Sequence, residues 1–431
     1  MKLKKHYFLV LITFSLYITS LAQQKSNDIE QLEAVVITAT KFPVKKELSG
    51  KIIYTIDSLA ISQNKSLSVL DMIDKLTTIH IHDSNSAMGK NKGIYVRGGR
   101  DRQVLVMIDG IAVSDPSGIF TAYDLRLLDM NQVASIEIMN GAASTLYGSG
   151  AATGVINIVM KSPGKTPLGG NVSVTLGSNN DQQSNKGNLN YSGQQFALHG
   201  GTGKFSYAGG FTNQITKGLS EARSIDAIDF EDDDWKSWNS HLKLRFEPTQ
   251  QWHVQAYANI DRNDFDFDAG AFNDTDSNVA RTEQFRYGVK AKYKFRQGDL
   301  SFVASHNTID RSFESFNAWT NTIDHYAYAG ESLVLEVVNS LQLNNNLTMV
   351  TGLNYQRLQN DTKTPYGAIE GSMAHYETID PYTHFTLTLD NGFNLNIGGR
   401  LNHHSTYGSH WVYTINPSYN LDEHWRMLAS W

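Results

Sequence analysis

Along Phe285–Arg296 the odd positions are all apolar or aromatic: Phe285, Tyr287, Val289, Ala291, Tyr293 and Phe295. The even positions carry Arg286, Lys290, Lys292, Lys294 and Arg296. Trp252–Ile260 alternates in the same way, and Leu347–Gln356 and Phe393–Asn402 repeat the scheme. A period of two over about ten residues predicts a strand with one apolar and one polar face.

Between Lys51 and Lys161 the pattern is mixed. "SLSVLDMIDKL" (Ser66–Leu76) predicts a short helix with Val69, Leu70, Ile73 and Leu76 on one face. "GIYVRGG", "RQVLVMIDGIAV", "VASIEIM" (Val133–Met139) and "GVINIVM" (Gly154–Met160) predict strands. Asp109-Gly110 stands between two apolar runs, a hairpin signal because both turn residues need positive φ. Residues 51–161 are therefore expected to form a compact α+β domain, and residues 168–431 an all-strand region.

A soluble sandwich also alternates, so the connections decide. Short ones at 201–204, 248–251, 297–299, 344–346, 390–392 and 421–424 alternate with long polar ones near 178–185, 216–236, 262–282, 314–325, 360–380 and 404–409. That rhythm predicts a transmembrane antiparallel β-barrel with short turns on one side and long loops on the other. Some thirteen strands begin after Gly169. Single-chain bacterial barrels have even strand numbers, so the chain is expected to be the N-terminal portion of a longer protein.

The chain has 431 residues and no cysteine. Lys2, Lys4 and Lys5, the apolar run Tyr7–Ile18 and the small residues of "SLA" (Ser20–Ala22) predict a signal peptide over 1–22, hence export. An exported chain without cysteine holds its fold by sheet and core alone. The net charge of −6 argues against a nucleic-acid partner. Residues 23–50 read as a linker, yet "EAVVITAT" within it is a strand-former with no hairpin partner beside it.

"LEAVVITATK", "YVRGGRDRQVLVMIDG" and "IEIMNGAASTLYGSGAATGVINI", followed by the alternating strands, resemble TonB-dependent outer-membrane receptors in order and spacing. Within that superfamily the chain looks most like the cobalamin-type (vitamin B12) receptors, with ferric siderophore and haem receptors as the alternative. The resemblance implies a plug domain inside a barrel of about 22 strands. It implies TonB-dependent active import of a scarce large ligand, cobalamin or a related corrinoid. It places the protein in the Gram-negative outer membrane, in contact with its lipid and with the inner-membrane transducer TonB. A surface lipoprotein is a further partner it suggests. Asn140-Gly141-Ala142 stands where the family usually has Arg-Gly-Pro, which puts in doubt an arginine-based plug-to-barrel ion pair there.

Glu33, Ala34, Val35, Val36, Ile37, Thr38 and Ala39 match the TonB box, which would bind its partner by strand addition. Asn91, Lys92, Gly93 and Ser114 fall where cobalamin receptors touch their ligand. Seven carboxylates lie between Glu221 and Asp234 and six between Asp261 and Asp276, both in expected long loops. Calcium takes six to eight hard oxygens, and two neighbouring acidic loops can converge on it. In the cobalamin receptors the loops at these positions bind calcium. Asp226, Asp229, Asp232, Asp234, Asp264 and Asp266 are the expected ligands of such a structural Ca2+. His80, His82, His403 and His404 are read as surface decoration rather than as a metal or haem site. No catalytic constellation is present: "STLYGSG" lacks nucleophile-elbow spacing, and Gly148-Ser149-Gly150 lacks a phosphate-loop lysine. A transporter is expected, not an enzyme.

Overall fold

The computed structural model describes residues 35–431 except 37, 39, 43, 46–48, 65–66, 77, 83–88, 165, 179–188, 218–219, 221, 223–229 and 423–424. The expected signal peptide, Glu33, Ala34, Ile37, Ala39, Asp226 and Asp229 lie outside the described residues. Residues 36–431 form one compact unit.

A two-stranded ribbon, β1 (Val35–Val36) and β2 (Val44–Lys45), precedes the α+β domain. That domain runs β3 (Ile52–Ile56), α1 (Ser58–Gln63), α2 (Val69–Asp74), β4 (Ile79–Ile81), β5 (Ile94–Val96), β6 (Val104–Ile108), β7 (Ile111–Val113), β8 (Val133–Asn140), α3 (Ser144–Tyr147) and β9 (Gly154–Met160). Five strands pair in the order β3-β8-β9-β6-β7, with β6 and β9 parallel. The helix begins after Ser68, which caps it in a reciprocal capping box with Asp71, and ends at the C-cap Lys75, so Leu76 of the apolar stripe lies past its end. Val69 and Ile73 of α2 pack with Ile136, Ile138, Ile156 and Ile158 in the core. Asp109 and Gly110 have φ of +52° and +79°, the two-residue turn expected between β6 and β7.

The second region is one antiparallel sheet of fourteen strands. Its first half contains β10 (Gly169–Gly177), β11 (Tyr191–Thr202), β12 (Phe205–Thr216), β13 (Trp235–Phe246), β14 (Trp252–Asp266), β15 (Val279–Phe295) and β16 (Gly298–Asn317). Then come β17 (Thr322–Gln342), β18 (Leu347–Thr364), β19 (Gly367–Ile369), β20 (His375–Thr388), β21 (Phe393–His404), β22 (Gly408–Asn420) and β23 (Arg426–Leu428). Neighbours in sequence pair throughout, and the short β19 pairs β18 beside the main path, which leaves the thirteen strands expected. The ends of the path, β10 and β23, are not paired to each other.

The sheet buries its polar face. Phe285, Tyr287 and Val289 are 40–44% exposed, whereas Gln284 and Arg286 between and beside them are 2% exposed against the α+β domain. That inversion suits a sheet whose outer face meets hydrocarbon. Three of the long connections read from the sequence are corrected. Residues 314–325 are mostly the ends of β16 and β17, 360–380 holds the ends of β18 and β20 with β19, and 404–409 is a tight turn. Their polar residues are strand residues beyond the apolar band, wet on both faces.

Candidate functional site

Three places carry the residues singled out in the sequence, the first two of them where the two regions meet. The first surrounds the segment after Val36. Thr38 is fully buried: its backbone N–H donates to Glu137 Oε2 (3.0 Å) and its hydroxyl donates to the same oxygen. The Tyr147 hydroxyl donates to the Thr38 carbonyl (3.0 Å). Three residues on, Lys41 pairs with Glu336 of β17 and donates to the Tyr382 hydroxyl (3.0 Å). Its ammonium also lies 5.0 Å and 4.7 Å from the ring centres of Tyr147 and Tyr382. Burial pulls the Lys41 pKa below the usual lysine value, and Glu336 opposes that shift. Next to it, the buried Arg400 donates to Asp380 (2.6 Å) and to the Leu146 carbonyl (3.3 Å). Part of the strand-former is thus engaged at home, by β1–β2 pairing and through Thr38.

The second place is the loop from Ser114 to Asp124. Ser114 is half-buried rather than free: its hydroxyl donates to Ser332 (3.4 Å) and accepts from Gln356 (3.4 Å), and its carbonyl accepts from Asn307 (3.1 Å). Asn360 donates to the Pro116 carbonyl (2.6 Å), and the Tyr123 hydroxyl donates to Gln284 (2.8 Å). Arg311 of β16 bonds Asp115, Ser117 and Asp124 together. Burial alone would raise the Asp124 pKa, but Arg126 and Arg311 hold it far below the usual carboxylate range. None of these wall partners was found from the sequence.

The third place is acidic. Carboxylate oxygens of Glu231, Asp268 and Asp274 lie within 4.8 Å of one another. Asp268 is anchored by the N–H groups of Ala222 (2.6 Å) and Thr275 (2.8 Å). Burial and the neighbouring carboxylates push Glu231 up to about 7 and Asp233 up to about 8. Of the residues expected to bind metal, Asp234 pairs with Lys217 (3.1 Å) and Lys236 (3.3 Å), and Asp264 with Arg262 (2.8 Å) and Arg281 (3.3 Å). Asp266 accepts the Asp234 N–H (3.2 Å), and Asp232 is exposed. The two acidic stretches do converge, through a different trio.

Asn91, Lys92 and Gly93 follow Gly89, whose φ of +99° lets it seat on Trp235 and Phe265 at the base of the acidic loops. A Cβ at Gly89 would lie 2.5–2.7 Å from those side chains. Gly89 thus rests on the strand ends from which the acidic loops depart. Elsewhere, His404 stacks on Tyr376 at 4.6 Å, and His80 and His82 flank Tyr95 at 6.3 Å.

Residues 45–155 match the TonB-dependent Receptor Plug Domain family. The Vitamin B12 transporter BtuB of Vibrio cholerae is 31% identical over 167 residues, 39% of this chain and 27% of that protein. The Vitamin B12 transporter BtuB of Photobacterium profundum is 24% identical over 343 residues, 78% of this chain and 51% of that protein. Among solved structures, the ferric enterobactin receptor PfeA of Pseudomonas aeruginosa superposes with a TM-score of 0.72 at 20% identity. It covers 89% of this chain and 61% of its own length is matched. The ferric yersiniabactin uptake receptor FyuA of Yersinia pestis superposes with a TM-score of 0.67 at 17% identity, over 88% of this chain and 63% of that one. The chain thus spans about half or less of these curated relatives and about three fifths of the solved receptors. Fold and sequence agree that this chain is similar to TonB-dependent receptors, with a plug domain of that family at residues 45–155 and barrel strands after it.

Proposed function

We propose that the protein works in TonB-dependent import across the outer membrane, with cobalamin or a related corrinoid as its ligand. The observation that carries this reading is the fastening of Thr38 and Lys41 onto Glu137 and Glu336, beside the plug that also holds Ser114 against Ser332. Glu336 and Ser332 are four residues apart on β17, about 13 Å along a strand. A ligand that shifts the Ser114 loop therefore acts close to the lysine that secures the box. Release of Glu33–Ala39 would then offer TonB a strand to pair with. No nucleotide motif exists in the sequence, so the energy comes through that partner.

The acidic trio fits a divalent cation. Glu231, Asp268 and Asp274 supply hard oxygens; burial first and then the neighbouring carboxylates raise the Glu231 pKa, and a cation removes the second of these. Calcium there would stiffen the acidic loops. The relatives named for vitamin B12 transport favour a corrinoid, and the solved siderophore receptors share only the fold. Calorimetry with cyanocobalamin, in calcium and then in chelator, tests the assignment: tight binding that weakens in chelator is expected. Silence in both arms, with heat on adding ferric enterobactin, would replace the corrinoid by a siderophore. Deleting Glu33–Ala39 must abolish uptake while leaving ligand binding intact.

A further inference from the structure

The loop from Ser114 to Asp124 is built more stiffly than a plug loop needs to be merely to pack. The Asp115 N–H donates to the Thr121 carbonyl (3.1 Å), closing a ring of seven residues. Inside that ring Asp115 Oδ1 accepts from the Ser117 N–H (3.0 Å) and hydroxyl. Thr121 has φ of +52°, a conformation that a β-branched residue adopts only when its surroundings hold it there. The ring displays Ile119, 94% exposed, and Phe120, whose ring lies 5.4 Å from the Arg102 guanidinium.

Of the wall side chains that reach the ring, Arg311 makes the charged contacts, and Asn360 donates to the Pro116 carbonyl (2.6 Å). Arg311 Nε donates to Asp115 Oδ2 (3.0 Å) and to the Ser117 hydroxyl (3.0 Å). Its Nη2 donates to Asp115 and to Asp124 Oδ2 (3.2 Å). Asp115 opens the ring and Asp124 lies just past its close, so a single guanidinium ties both ends to β16. Both carboxylates are buried, at 2% and 5% exposure, so losing the cation would leave Asp115 without a charge partner among the described residues. Asp124 would keep Arg126.

We propose that Arg311 is a positioning residue for ligand capture. It presets the Ile119–Phe120 tip by clamping the loop to the wall, and the ligand itself never touches it. This rests on the import reading, because it needs a ligand that lands on the plug. A loop already ordered spares the bound state the entropy of ordering it, so the clamp sets affinity. Arginine suits the task because its fork reaches two carboxylates at once, which lysine cannot do.

The test is made on the purified receptor in detergent. Hydrogen exchange is followed at 114–124, and cyanocobalamin affinity is measured in parallel. In Arg311→Met the loop amides should exchange about tenfold faster and affinity should fall about tenfold, with exchange at Thr38–Lys41 unchanged. Arg311→Lys should recover part of both, and it carries the test alone if Arg311→Met fails to assemble. Unchanged loop exchange overturns the proposal, and so does affinity lost without faster loop exchange. A wild-type protein that ignores cyanocobalamin counts against the corrinoid reading alone, and the titration is repeated with ferric enterobactin. Binding of neither ligand sinks this proposal too.

Discussion

The plug and the sheet use the same apolar residues in opposite directions. In the plug, Ile136, Ile138, Ile156 and Ile158 are wholly buried between strands and helices. In the sheet, Phe285, Tyr287 and Val289 face outward, and Arg286, Gln284 and Asn307 face the plug. The difference follows from the solvent on the far side: water around a plug core, hydrocarbon around a barrel. Its consequence lies at the seam, where both partners present polar groups. The seam is joined by ion pairs and hydrogen bonds, among them Lys243–Asp109 (2.6 Å), Lys41–Glu336 and Arg311–Asp115. The polar contacts of the seam can exchange their partners for water on opening, whereas the apolar patch where Leu146 packs with Val350 and Tyr382 would be exposed.

Four substitutions or conditions break or sharpen that contrast. Ile156→Asp puts a charge in the plug core and should cost more than about 4 kcal/mol. Protease digestion should then degrade the plug while the sheet survives. The seam responds next. Arg400→Met strands the buried Asp380 and should cost about 3–5 kcal/mol, read by chemical denaturation. Adding Asp380→Asn should restore part of it.

Lys41→Met removes one ion pair and two cation–π contacts, leaving Tyr382 to donate to Glu336. Exchange at 38–42 should rise about tenfold, or about 1.4 kcal/mol, with the melting temperature almost unchanged. The smallest effect is from pH. Glu231 and Asp233 have pKa values raised by folding, so their contribution to loop stability is full below about pH 4 and is lost as pH rises through 7 to 8. In chelator, protection factors in the acidic loops, corrected for the intrinsic pH dependence of amide exchange, should be higher at pH 5 than at pH 8.5. Calcium should raise them at pH 8.5 alone, and equal protection factors at both pH values would remove the carboxylate cluster as their cause.

Much of this was legible in the chain. Period two in 285–296 gave β15 its faces, and Asp109-Gly110 gave its turn, because both signals are local. The hairpin ends at 314–325 were not legible: outside the apolar band a strand loses its alternation and looks like a loop. The acidic region was legible, but its working carboxylates were not. Asp264 is neutralised by Arg281 because strand register puts them opposite each other, and a sequence does not print register. Arg311 with Asp115, and Lys41 with Glu336, lie 196 and 295 residues apart. Nothing in their flanking residues marks them as partners.

The lengths of β16 and β17 have a further consequence. They run 20 and 21 residues, where about 9–11 suffice to cross a membrane. In a barrel of the usual strand tilt, the surplus of roughly ten residues per strand would rise about 25 Å beyond a membrane-spanning band. On that side the wall is a parapet, tall compared with the solute it would admit. Trp319, in the turn that joins the two strands, is almost fully exposed at their far end.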